Sequence, residues 1–226
     1  MTATVVAVFA IVYLGMILGG LPWVQLDRTG IALLGAIAIV AVGALTPEEA
    51  ALAVHLPTLL LLFSFMVISA QMRLGGFYTW VTRRVAALPL GPAALLAATM
   101  AVVAALSAVF SNDVICLAIA PVLADACLKR GLDPVPYLIA LACAANIGSA
   151  ATLIGNPQNM LIGQVLALPF AGYALEAIVP VLASLAAAWA IIALRIQEGP
   201  GKGVPVLDRR DEGYAPFDAW QTAKGL

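Results

Sequence analysis

The sequence predicts an all-α membrane protein, and three observations carry that expectation. Of its 226 residues, 63% are hydrophobic and 10% are charged, against roughly 25% charged in an average soluble domain. The apolar residues fall in long runs close to the 20 or so that a membrane helix needs. Every Lys and Arg can also be placed on one side of a bilayer by threading those runs back and forth, as the positive-inside rule requires. With a mean hydropathy of +1.05, such a chain lacks the polar residues to cover its own surface, so its solvent is lipid. A net charge of −1 leaves no basic footprint for nucleic acid.

The runs follow in order. Residues 2–22 read as a retained transmembrane helix, because residues 2–26 are uncharged and lack the positive start of a signal peptide. "VQLDRTG" is a wet turn. Residues 30–45 form a second run, ended by "TPEEA", and residues 50–72 a third. "RLGGFYTWVTRRVAALPLGP" reads as an interfacial segment, with Arg73, Arg83 and Arg84 beside the aromatic anchors Tyr78 and Trp80. Residues 93–110 are apolar, "SND" interrupts them, and 114–128 resume up to Lys129 and Arg130. Residues 137–154 are apolar, "GNPQN" interrupts them, and 160–168 resume. Residues 173–194 form the last span, and the polar, Gly/Pro-rich residues 196–226 read as a cytoplasmic linker or tail. With the N-terminus outside, all eleven Lys and Arg lie on the inner side, and the outer loops carry acids such as Glu48 and Glu49. Charge does not distinguish a unit 91–128 that dips in and returns from one made of two full spans. The Ala-rich, short-looped chain suggests a bacterial inner membrane.

The two polar interruptions carry the functional signal. Irregular backbone at membrane depth is tolerated where protein buries it or where it lines a wet cavity. Each interruption precedes an apolar run, as the N-terminus of a half-helix would, where free amides attract anionic groups and unwound carbonyls can hold a cation. Ser111 or Asn112 can cap the first, and Pro157 suits the first turn of the second. Gly155 admits close backbone approach, while Asn156, Gln158 and Asn159 supply amides. The preceding "NIGSAAT" adds the small residues Gly148, Ser149, Ala150 and Ala151, which allow helices to pack closely. It also adds polar groups at Asn146, Ser149 and Thr152. Spacing leaves two readings of Ser111-Asn112-Asp113: a half-helix tip, or a tight external turn between two spans. "GNPQN" reads as a break in mid-passage, since the run after it is only about nine residues, too short to cross; a plain inter-helix loop is its alternative.

"SNDVICLAIAPVL", followed about thirty residues on by "ALACAANIGSAATLIGNPQNMLIG", resembles the ion-transporter superfamily with the citrate transporter-like domain. That group includes divalent-anion/sodium symporters, arsenite permeases, sodium/proton antiporters and plant silicic-acid efflux carriers. The motif match covers about residues 105–165, and the order of runs fits about residues 1–195. The resemblance implies two inverted repeats, each with a re-entrant helical hairpin and a discontinuous helix, whose tips meet at the midplane. This chain would supply one inverted-repeat half of a secondary transporter over residues 1–195, with the hairpin at 91–128 and the broken helix at 137–168. It would need a second repeat or a homodimer partner. The expected substrate and ion contacts are Ser111, Asn112, Asp113, Asn146, Thr152, Gly155, Asn156, Pro157 and Asn159. Symporters of the group carry Ser-Asn-Thr at the hairpin tip. Asp113 departs from that pattern: an ionised carboxylate would repel an anion, whereas a reversibly protonated one could couple transport to protons. The expectation is therefore a permease for an inorganic oxyacid, oxyanion or small organic anion, coupled to H+ or Na+, with no other cofactor. The alternative is a non-transporting truncated or split membrane subunit.

The remaining polar groups have plainer readings. Asp125, just before Lys129, is a helix-end or interfacial charge. His55 is an interfacial residue before Pro57. Glu176 is either an interfacial anchor or a cavity-facing group. Cys116, Cys127 and Cys143 are an odd set without metal spacing and read as small buried hydrophobes. No HExxH, GxSxG or Walker A pattern occurs, which argues against an enzyme.

Overall fold

The computed structural model describes residues 2–18, 27–196, Asp218, Trp220 and Thr222, and all regular structure among them is helical. The chain divides into two compact units, Met1–Leu56 and Pro57–Leu226.

In the first unit, α1 (Thr2–Leu18) and α2 (Arg28–Ala41) are apolar helices. Their contact is close because Gly35 lacks a side chain: a Cβ there would strike Val12. Asp27 caps α2, its Oδ1 accepting the Gly30 amide at 2.8 Å. A short α3 (Pro47–Leu52) opens on a capping box, in which Thr46 Oγ1 accepts the Glu49 amide at 3.1 Å and Glu49 Oε2 accepts the Thr46 amide at 2.9 Å.

The third run, expected to be continuous over 50–72, is instead two helices, α3 and α4 (Leu56–Leu74). The capping box starts α3 inside the supposed loop "TPEEA". Were the helix to continue, Pro57 would have no N–H to give the Ala53 carbonyl and its ring would crowd that carbonyl, which disfavours one continuous helix through this point.

The second unit continues with α5 (Phe77–Ala86), α6 (Pro92–Val109), α7 (Asn112–Lys129), α8 (Pro134–Ser149), α9 (Pro157–Val165) and α10 (Phe170–Ala193). Gly76 turns the chain between α4 and α5 at φ +71°, where other residues are strained. At this turn the Asp218 amide bonds to the Gly75 carbonyl (2.9 Å), and Thr222 is buried against Gly75. α5 is amphipathic, burying Tyr78 and Thr82, while the Arg84 guanidinium lies 5.4 Å from the centre of the Trp80 ring. That suits the interfacial position expected of it.

The core is the three helices α6, α7 and α8, with α8 parallel to α6 and packing against both of the others more extensively than they pack on each other. Leu96, Ile115, Ala140, Ala144 and Ala145 are fully buried there. Gly148 presses on the Ala104 backbone so closely that a Cβ would overlap it, the small-residue contact expected of "NIGSAAT". One end of the bundle is basic. Arg130 Nη2 donates to the Leu88 carbonyl at 2.9 Å, and Tyr137 OH to the Pro92 carbonyl at 3.0 Å. Trp189 of α10 donates to the Ala93 carbonyl at 3.0 Å. These bonds gather the start of α6, the end of α7 and the end of α10, with Lys129, Arg130 and Arg195. Lys129 pairs with Asp125 at 2.9 Å, which makes Asp125 a helix-end charge, one of the two readings expected of it. Cys127 is buried in the core, while Cys116 and Cys143 are half-buried.

α4, α6 and α10 are long and apolar enough to cross a membrane, and the protein is a multi-pass helical membrane protein. The interruptions SND and GNPQN both lie at the end of the bundle opposite the basic one.

Candidate functional site

α6 ends at Val109, and Phe110 turns extended (φ −110°, ψ 160°). Ser111 takes the capping position of α7, but its hydroxyl accepts no first-turn amide. The local bond is made by Asn112, whose Oδ1 accepts the Asp113 amide at 3.0 Å while Nδ2 donates to Asn146 Oδ1 at 3.1 Å. Asn146 Nδ2 in turn donates to the Ala142 carbonyl at 2.9 Å, which fixes its orientation on the last turns of α8. Asp113 is exposed, and among the described residues its carboxylate has no hydrogen-bond or ion-pair partner. It stands in the first turn of α7, where the helix dipole favours a negative charge.

α8 stops at Ser149 rather than continuing to 154, the expected end of its apolar run. Ser149 Oγ bonds to the Asn146 carbonyl at 2.8 Å, and the Ala150 and Ala151 amides shift to carbonyls three residues back. The chain then folds over itself. Gly155 lies on Ser149 so closely that a Cβ would fall 2.7 Å from Ser149 Cα. Asn156 caps α9: its Oδ1 accepts the Asn159 amide at 2.8 Å, and its Nδ2 reaches Ser149 Oγ at 3.2 Å. Pro157 occupies the first turn, where a missing N–H costs nothing.

The carbonyls freed by this break are satisfied by side chains. Asn159 Nδ2 donates to the Thr152 carbonyl at 3.0 Å, Asn156 Nδ2 approaches the Ser149 carbonyl at 3.4 Å, and Tyr173 OH of α10 donates to the Ala150 carbonyl at 3.1 Å. That accounting is what allows unwound backbone to persist out of water.

Two bonds join the interruptions, Asn112 to Asn146 and Thr152 Oγ1 to the Ala108 carbonyl in the last turn of α6. The nine residues expected at the site are thereby brought into one layer. Ser111, Asn112 and Asp113 form the tip between α6 and α7. Asn146 comes from α8. Thr152, Gly155, Asn156, Pro157 and Asn159 build the break before α9. Gly155 and Pro157 act through backbone shape rather than polar groups. Ser149, noted in the sequence only as a small hydroxyl residue, and Tyr173, taken only as the start of a span, prove to be structural partners of the break. Ser149 had a signal in its neighbours; Tyr173, on another helix, had none.

The layer is neutral apart from Asp113. Residues 108–113 and 146–159 contain no Lys or Arg, so the available groups are amides, hydroxyls, carbonyls and the N-termini of α7 and α9.

Two helical interruptions cross-linked inside an apolar bundle define a polytopic membrane protein of the discontinuous-helix class, the architecture on which secondary transporters build their sites. The comparisons agree. The citrate transporter family matches residues 5–209, and the chain belongs to that family. It is 32% identical over 177 residues to the silicon efflux transporter LSI3 of Oryza sativa subsp. japonica, covering 78% of this chain and 36% of that protein. It is 31% identical over 210 residues to the magnetosome protein MamN of Paramagnetospirillum magneticum, covering 90% of this chain and 46% of that protein. It is 29% identical over 145 residues to the putative transporter arsB of Dictyostelium discoideum, covering 64% of this chain and 26% of that protein. The chain thus spans less than half the length of these relatives.

Proposed function

We propose that the chain is one inverted-repeat half of a secondary active transporter, completed by a second repeat or a second copy. Its substrate is an inorganic oxyacid or oxyanion or a small organic anion, and its coupling ion is H+ or Na+. The observation that carries this reading is the joined pair of interruptions, with Asn112 bonded to Asn146 at 3.1 Å and Thr152 to the Ala108 carbonyl. A layer of amides and hydroxyls with no Lys or Arg suits a neutral, hydroxyl-rich oxyacid better than a multivalent anion, which would need cationic partners. The names of two relatives, one a silicon efflux transporter and one a putative transporter, point the same way.

The proposed topology puts the N-terminus outside and the basic end of the α6–α8 bundle in the cytoplasm, in a bacterial inner membrane. The α6–α7 hairpin enters from that side. Each arm has 18 residues, about 27 Å of helix, so a tip that stops within the hydrocarbon leaves the basic ends in the headgroup layer.

Asp113→Asn in the completed transporter tests the reading: it abolishes uptake or removes its pH dependence. Unchanged pH-dependent uptake would remove Asp113 from the mechanism. A second reading is a membrane subunit that does not transport by itself. Reconstitution of the chain, with crosslinking to report its oligomeric state, separates the two, since flux from a monomer is incompatible with the second.

A further inference from the structure

Asp218, Trp220 and Thr222 lie well beyond α10 in sequence, and the polar layer does not use them. They return to the turn between α4 and α5, 147 positions away at Thr222 and Gly75. α4 ends at Leu74, and a helix end leaves carbonyls without helical donors. The Gly75 carbonyl takes its donor from this distant segment: the Asp218 amide lies at 2.9 Å.

The segment is itself ordered by local bonds. The Thr222 amide donates to the Asp218 carbonyl at 3.0 Å, and the Thr222 hydroxyl donates to the same carbonyl at 2.9 Å. Asp218 Oδ1 accepts the Trp220 amide at 2.9 Å. One side of this turn faces the protein: Thr222 is 7% exposed, against 70% for Trp220. The fit is close. Gly75 lies outside the left-handed region, so its conformation does not call for glycine. The approach of Thr222 does, because a Cβ at position 75 would overlap the Thr222 hydroxyl and fall 3.0 Å from its amide nitrogen.

The turn that receives this segment also carries a side chain that meets the site. Tyr78 follows Gly75 within one helical turn, is buried, and stands edge-on to Phe110 with ring centres 6.0 Å apart. Phe110 is the extended residue between the end of α6 and Ser111. The glycine turn thus holds Thr222 and, a few atoms on, the ring that packs at the base of the tip.

We propose that the turn carrying Asp218, Trp220 and Thr222 is a clip: docked on Gly75 it fixes the α4–α5 turn and, through Tyr78 and Phe110, steadies the Ser111-Asn112-Asp113 tip. Release of the clip loosens the tip. A tail held by apolar burial alone would need neither the glycine nor the bond to its carbonyl. The use of the clip rests on the transport reading, in which the tip carries Asp113; the contact itself does not.

Amide hydrogen exchange of the full chain in detergent, read by mass spectrometry with residue resolution, tests both steps. The tail is read at Asp218 and Thr222. The tip is read at Phe110 and Ile115, whose amides bond to the carbonyls of Leu106 and Ser111. Gly75→Ala is expected to speed exchange about tenfold at the tail and severalfold at the tip. Gly91→Ala, where an added Cβ meets open space, leaves both unchanged. Adding Thr222→Ala to Gly75→Ala removes the nearest obstructing atom and restores part of the tail's protection, which a collapsed α4–α5 turn would not allow. Tyr78→Leu speeds exchange at the tip and leaves the tail protected. Unchanged exchange at Asp218 and Thr222 in Gly75→Ala overturns the docking, and a freed tail over an unchanged tip overturns the clip. Neither readout involves flux, so a chain that carries no substrate but shows both changes keeps the clip and removes the transport reading.

Discussion

The two interruptions look alike in sequence, each a knot of Asn with a turn-forming neighbour, yet the structure treats them differently. The break before α9 is closed on itself. Its amides at Asn156 and Asn159 are directed at the carbonyls of Ser149 and Thr152, and Gly155 is pressed against Ser149. The tip before α7 makes one cross-bond through Asn112 and leaves the Asp113 carboxylate without a partner among the described residues. The first has its amide donors committed to its own backbone, and the second keeps a carboxylate that is committed to nothing among the described residues. Polar residues at a helix break need not be ligands. The physical question is whether their hydrogen-bonding capacity is already used.

That contrast can be broken experimentally. Gly155→Ala has the largest expected effect, because its methyl must displace backbone rather than a side-chain tip. A loss of about 3 kcal/mol is expected in thermal or denaturant unfolding in detergent, and wild-type stability would mean that the break does not close on Ser149. Asn159→Ala comes next. It strands the Thr152 carbonyl and is expected to cost about 1–3 kcal/mol in the same assay, with Asn159→Asp recovering little because a carboxylate cannot donate. Asp113→Asn should change stability by less than about 0.5 kcal/mol while altering transport. A large stability loss there would make the tip as structural as the break.

The smallest effect is a control outside both interruptions. Hydrogen bonds from the Thr46 backbone and side chain hold the Glu49 carboxyl below its ordinary value of 4.5. Its capping contribution is thus fully present above that value and is lost as pH falls through the lower folded-state value. NMR titration of Glu49 in Thr46→Ala should show the carboxyl returning toward its ordinary value.

Much of this was legible in the sequence. The positions of α6, α7 and α10, the start of α9 at Pro157 and the polar layer itself follow from apolar runs and their interruptions. Two boundaries did not. α3 was hidden because Thr46, Pro47 and Glu49 look like loop residues until they are read as a capping box. The end of α8 was hidden because residues 150–154 are small or apolar and continue the run. What stops the helix is Gly155 folding back on Ser149 and Tyr173 arriving from α10, and neither contact leaves a local trace. The same limit applies to Glu176, whose two sequence readings are separated only by the open groove it lines between α10 and the end of α8.

The acceptors in this layer are mostly main-chain atoms: the carbonyls of Ala108, Ala150 and Thr152 receive bonds from Thr152, Tyr173 and Asn159 respectively. A carbonyl comes with any amino acid, so Ala108 and Ala150 can change identity without removing the acceptor, whereas the three donors cannot be replaced by apolar residues. Drift through this region should therefore be lopsided, tolerant at the positions that receive and strict at those that give. A saturation library scored for folded protein should display that asymmetry directly.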